Sequence, residues 1–175
     1  MNIKLIITSL LALFLLSGCK KEVDPGLGGK CAPKWWKNES SNSSVVYGYG
    51  REGSRDAGTA TALSLAAAQR DALMQINTVI RTDIDKGVQE VQRQLGDENV
   101  EDFRKAISNE LLVDANAPCN YCSRNGSSEC EDGGKLVVFT RVKINIDDYL
   151  NQDLRDKMND LLAKPEELLD DLKNK

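Results

Sequence analysis

Histidine is absent from all 175 residues. Without it there is no Ser-His-Asp or Cys-His nucleophile arrangement, no His-Glu-x-x-His zinc motif and none of the pH switching that imidazole supplies near neutrality. Long hydrophobic runs are lacking too. The longest, Leu5 to Leu16, is broken by Thr8 and Ser9 and falls short of the ~20 apolar residues that span a bilayer. Basic residues do not cluster beyond the pair Lys20-Lys21, in a chain of 23 Lys and Arg against 27 Asp and Glu. That balance argues against nucleic acid as a partner. No internal repeat is present.

What is there begins with an address. Lys4 supplies a positive n-region and Leu5 to Leu16 an apolar h-region, the pattern of a cleaved secretory leader over residues 1–18. The small residues that follow lead directly into a cysteine: Leu16-Ser17-Gly18-Cys19 resembles a bacterial lipoprotein box. The resemblance implies that the Cys19 thiol receives a diacylglycerol, that the chain is cut before it, and that the freed amine is acylated. Three acyl chains at ~0.8 kcal/mol per buried methylene hold far more firmly than one myristoyl group. Lys20 stands where an aspartate commonly retains such proteins in the inner membrane, so the resemblance favours the outer membrane, with the domain in the periplasm or at the cell surface. Lys20 and Lys21 suit lipid head groups.

From Cys19 onward 157 residues remain, enough for one domain with a modest core. Removal of Lys4 leaves a net charge near −5, most of it carried by the nine acids and five bases of Asp147 to Lys175. Residues 19–31 read as the lipidated cysteine and a flexible tether, with Pro25, Gly26, Gly28 and Gly29. A single domain is expected over 32–163, and a short acidic tail helix over 164–175, opened by Pro165.

Within the domain, Trp35-Trp36 reads as one packed ring and one half-exposed ring. Val45 to Gly50 reads as a strand whose glycines mark close backbone approach, and Arg51 to Gly58 as a loop. From about Thr59 an apolar stripe of Ala62, Leu65, Ala66, Leu73, Ile76 and Ile80 continues through Ile84, Val88, Val91 and Leu95, predicting one helix of nearly forty residues. The β-branched stretch Asn77 to Ile80 offers a rival break, but the stripe does not rotate across it. Gly96 ends the helix and Asp97 caps a second, with Val100, Phe103, Ile107, Leu111 and Leu112. Cys119 to Arg124 reads as a short strand, Asn125 to Gly134 as a loop, and Lys135 to Ile146 as a longer strand alternating Leu136, Val138, Thr140, Val142, Ile144 with Val137, Phe139, Arg141, Lys143. Asp147 or Asp148 caps a final helix carrying Leu150, Leu154, Leu161 and Leu162.

Pro33-Lys34-Trp35, Tyr47-Gly48-Tyr49-Gly50, the alanine-rich Ala60 to Ile76, Asn109-Glu110-Leu111-Leu112 and Lys135 to Val142 occur in an order that resembles the twenty-kilodalton outer-membrane lipoprotein family of the Helicobacter type. The likeness covers about residues 32–163 and extends to the N-terminal domain of the flagellar assembly protein T. It implies an α+β domain, with a long amphipathic helix and further helices packed on a short antiparallel sheet. It also implies surface or periplasmic accessories with no catalytic residues to transfer. The cysteines and the enlarged 123–134 segment depart from that pattern.

Once Cys19 is lipidated, Cys31, Cys119, Cys122 and Cys130 form an even set, which in an exported protein reads as two disulfides. Cys122–Cys130 would close the hairpin loop and Cys31–Cys119 would hold the entry strand; two other pairings are equally legal. Rival readings are a zinc site made of all four and a thiol-disulfide exchange site at Cys119-Asn120-Tyr121-Cys122. The latter should open a helix after a strand, whereas this one follows a helix and precedes a glycine-rich loop. Gly48-Tyr49-Gly50-Arg51-Glu52-Gly53 matches G-x-G-x-x-G. A dinucleotide needs the helix N-terminus at those glycines and a second parallel strand, and an exported domain meets no nicotinamide pool. Backbone turning is the reading, and no cofactor is expected. The pairs Asp147-Asp148 and Asp170-Asp171 read as helix-start charges rather than a metal site. The sum is a non-enzymatic envelope lipoprotein with an envelope protein as its candidate partner and thiol-disulfide exchange as the alternative.

Overall fold

The computed structural model describes residues 31–95 and 97–173. The leader, Cys19 and most of the tether lie outside the described residues, as do Gly96 and the side chains of Leu95 and Asp97. The elements are β1 (Val45–Ser54), α1 (Ala57–Leu95), α2 (Asp97–Leu111), β2 (Ser123–Asp132), β3 (Lys135–Asn145), α3 (Ile146–Tyr149), α4 (Gln152–Ala163) and α5 (Pro165–Lys173). Helices pack on a three-stranded antiparallel sheet of order β1-β3-β2, an α+β fold.

The central strand is the apolar one. Every position from Val137 to Val142 in β3 is buried, the mark of a strand covered on both sides. Val138, Thr140, Val142 and Ile144 face α1, and Val137, Phe139 and Arg141 face the other way. β1 runs four residues past the expected end, because pairing continues to Ser54↔Leu136. Of the expected loop 125–134, residues 125–132 instead belong to strand β2. Its polar composition reads as loop, yet pairing with β3 and a two-residue turn at Gly133 (φ 59°) and Gly134 (φ 74°) make it a hairpin arm. The expected strand 119–124 is mostly a turn.

α1 is continuous through Asn77 to Ile80. Asn77 turns its amide sideways, donating to Val113 O at 2.8 Å and accepting from Val113 N at 3.0 Å, so it latches the chain leaving α2. The helix starts at Ala57, with Asp56 Oδ1 accepting from Thr59 N at 2.7 Å. As far as Ala72 the buried positions are Ala60, Ser64, Ala68 and Ala72, whereas Ala62 and Ala66 are exposed. Contact with the sheet selects the smallest side chains there, which an apolar stripe does not register. The reason lies in β1: a Cβ at Gly48 would sit 2.1 Å from Ala68 O, and one at Gly50 1.9 Å from Ser64 O. Ser64 Oγ donates to Gly50 O at 2.9 Å and shares a hydrogen bond of the same length with Thr140 Oγ1.

From Leu73 onward α1 carries the larger core. Leu73, Ile76, Ile80, Ile84 and Val88 pack with Phe103, Ile107 and Leu111 of α2, with Ile146 and Leu150, and with Leu169 of α5. Leu169 is buried, so the tail helix docks on the domain. The cap of α4 is Asn151, whose Oδ1 accepts from Leu154 N at 3.0 Å, in place of the expected Asp147 or Asp148. Those two acids occupy the first turn of α3, where Asp147 pairs with Arg155. Asp170-Asp171 fall past the middle of α5 and are not helix-start charges. Among the described residues no helix is long and apolar enough to cross a membrane.

Candidate functional site

The face of the sheet turned away from α1 is covered by a strap, residues 31–39. Its first described residue, Cys31, is bonded to Cys130 of β2, with Cα atoms 6.2 Å apart. Trp36 N donates to Pro33 O at 2.8 Å, a turn that drives the Trp36 ring onto the sheet. There it is 4 % exposed and meets Phe139 (4.9 Å between centroids) and Tyr49 (5.6 Å) edge to face. Trp35 stays half-buried, so the expectation of one packed and one half-exposed tryptophan holds.

Arg141 is the polar centre of this face and is only 8 % exposed. Its guanidinium lies 5.3 Å from the Trp35 ring centroid and 5.4 Å from that of Tyr47. Nη1 donates to Glu39 Oε1 at 2.6 Å and Nη2 to Asn125 O at 3.3 Å. Tyr49 Oη donates to Glu39 O at 2.8 Å, so the end of the strap is held from two strands. Arg141 Nε and Trp36 Nε1 are buried without a hydrogen-bond partner. The Glu39 carboxylate hydrogen-bonded to the Tyr47 phenol raises its pKa above the usual range, and desolvation adds to this. Burial does the same to Tyr49, with Arg141 opposing. An anion entering here would have to displace Glu39, so the chemistry of the cluster is that of a clamp. Neither Arg141 nor Glu39 stands out from the sequence as a functional candidate. The available signal was the apolar Val137 and Phe139 at alternate positions of β3, which announce a second buried face.

The cysteines pair as Cys31–Cys130 and Cys119–Cys122, so the hairpin-closing pair Cys122–Cys130 is corrected. Cys122 stands just before β2 and Cys130 near its far end, roughly 26 Å apart at ~3.3 Å per residue, too far for a bridge. The sheet also separates the pairs. Cys119 and Cys122 pack against the core beneath α1, whereas Cys31 and Cys130 pack with Trp36 and Phe139. The four sulfurs therefore do not converge on one point as a zinc site requires. Cys119 and Cys122 (Cα atoms 5.3 Å apart) close the turn after α2, and the chain continues into β2 rather than a helix. Neither sulfur sits at a helix N-terminus, the usual source of a low-pKa thiol. Beside them Tyr121 and Tyr149 meet edge to face at 5.2 Å, and burial raises the Tyr149 pKa.

Gly48, Gly50 and Gly53 lie wholly within β1, so the G-x-G-x-x-G run makes no turn and cradles no phosphate. Close approach of α1 accounts for the first two. Among the described residues, no three His, Cys, Asp or Glu side chains are grouped to hold a metal ion. A void of about 30 Å³ lies among Ile80, Asp83, Leu111, Leu150, Leu154, Arg155 and Met158. That is the room of one water. No family model, no curated protein and no solved structure matches the chain.

Proposed function

We propose that this chain is a bacterial envelope lipoprotein, fastened to the outer membrane through acyl chains on Cys19. Its α+β domain acts there, in the periplasm or at the cell surface, as a non-enzymatic binding or assembly accessory to another envelope protein. The observation that carries the reading is Leu16-Ser17-Gly18-Cys19 at the end of a leader-like apolar run. Eleven residues separate Cys19 from Cys31, a tether reaching up to about 40 Å when extended. Two disulfides suit an oxidising compartment. The resemblance to the twenty-kilodalton outer-membrane lipoproteins of the Helicobacter type supports the accessory role. A structural rather than exchanging role for Cys119–Cys122 is supported by its place in a turn that leads into a strand.

Metabolic labelling with radioactive palmitate tests the anchor. Label should enter the wild-type protein and be lost in Cys19→Ala, which should also leave the membrane fraction. Equal labelling of both, or a mature chain with no acyl mass, defeats the proposal.

A further inference from the structure

The two edges of the sheet are finished differently. The edge of β1 is occupied at Tyr47 and Tyr49: Tyr47 N donates to Ser41 Oγ at 3.1 Å, Tyr49 N to Asp71 Oδ2 at 2.9 Å, and Tyr47 O accepts from Gln75 Nε2 at 2.6 Å. Ser41 and side chains of α1 thus occupy groups there that a further strand would use. The edge of β2 is open. Its ten residues are mostly exposed, and α1 lies over β1 and β3 instead. Among the described residues the one backbone group of β2 bonded outside its ladder with β3 is Asn125 O, which receives Arg141 Nη2. Unpaired N–H and C=O groups along such an edge are a template for another strand.

Charged edges commonly serve to repel further strands, and β2 carries Glu129, Glu131 and Asp132 toward one end. The other end carries Arg124. The extra residue at Asn125, between Arg124↔Val142 and Gly126↔Arg141, puts Arg124 on the same face as Glu131, which pairs with Leu136. Opposite charges at opposite ends of one face are self-complementary in an antiparallel pair.

We propose that two copies of this chain associate through β2, antiparallel about a two-fold axis at Ser128, forming a continuous six-stranded sheet. A two-fold perpendicular to the sheet requires facing residues to share a face, which a centre on a residue satisfies and a centre between residues does not. With Ser128 on the axis, Glu129 faces Ser127 of the second copy. Gly126 faces the bonded Cys130, where a larger side chain would crowd the sulfur. The bulge then sets Arg124 opposite Glu131, twice by symmetry. No acid then directly faces an acid of the other copy, the two Glu129 side chains being diagonal neighbours across the axis.

Sedimentation of the full mature chain in detergent micelles tests this without depending on the anchor reading. Wild type should be dimeric by about 100 μM and dissociate on dilution. Arg124→Glu and Glu131→Arg should each weaken the dimer about tenfold or more, since each turns two attractions into repulsions. The double reversal should restore it. Circular dichroism and intact disulfides establish that each variant is folded. A monomeric wild type, a dimer indifferent to either reversal, or a double variant without rescue would each overturn the proposal.

Discussion

The two faces of the sheet are covered by different means. Beneath α1, coverage is a matter of shape: Ala60, Ser64, Ala68 and Ala72 sit on Gly48 and Gly50, and the helix satisfies its own backbone. On the opposite face the cover is a strap with no regular structure and a cluster of three buried residues, Trp36, Val137 and Phe139. Ordering a residue costs about 1–2 kcal/mol of backbone entropy, which so small a cluster does not offset by burial alone. Cross-links make up the difference: the Cys31–Cys130 bridge, the Arg141–Glu39 pair and the Tyr49 bond to Glu39 O. A helix holds its face by fit, and a strap holds its face by ties.

Cutting the tie gives the largest effect. The Cys31–Cys130 bridge closes 99 residues of chain, so Cys31→Ala with Cys130→Ala should lower unfolding free energy by about 4 kcal/mol in urea titrations. Cys119–Cys122 spans three positions, and its removal should cost about half as much. Hydrogen exchange then sharpens the contrast. In the Cys31/Cys130 variant the amide of Tyr47, held by Ser41 just past the strap, should lose protection, while those of Ile76 to Ile84 keep theirs relative to global stability. Uniform loss over both faces would mean that the strap is not a separate unit. Spoiling the fit comes next. Gly50→Ala places a methyl against Ser64 O and Ala68 N, both backbone, and should cost about 3 kcal/mol because α1 must move off β1. The strap bridge should still form in that variant, as read by the absence of free thiols.

How much of this was legible differs between the faces for the same reason. The helix face is written in local periodicity, and Ile76, Ile80, Ile84 and Val88 announced it. Even there Ala62 and Ala66 were misplaced, since small residues chosen for contact carry little hydrophobic signal. The strap face depends on pairings distant in sequence, Cys31 with Cys130 and Glu39 with Arg141, which no window along the chain contains. β2 was hidden by its composition. An edge strand buries little, so Ser123 to Asp132 needs no apolar alternation, and the turn signal Asp132-Gly133-Gly134-Lys135 was the one local clue to it. Cys19, on which the anchor rests, was legible as a motif alone.

The smallest expected effect uses pH to act on one face at a time. Asp56 caps α1, and hydrogen bonds from the side chain and backbone of Thr59 hold its pKa below the usual carboxylate value. A depressed folded-state pKa contributes stability above the unfolded value, and that contribution is lost as pH falls through the folded one. The tyrosines of the strap face run the other way. Tyr47 is raised by its hydrogen bond to Glu39 and Tyr49 by burial, so their contribution is present below about pH 10 and fades as pH climbs past it. Acid should therefore loosen the helix start and alkali the strap. The stability gap between wild type and Asp56→Ala should close on acidification and be flat from neutrality upward. The gap to Tyr49→Phe should narrow only on the alkaline limb, where ionisation of Tyr49 penalises the wild type alone. If both gaps closed on the same limb, the two covers would be one cooperative layer, and the division between fit and ties would fail.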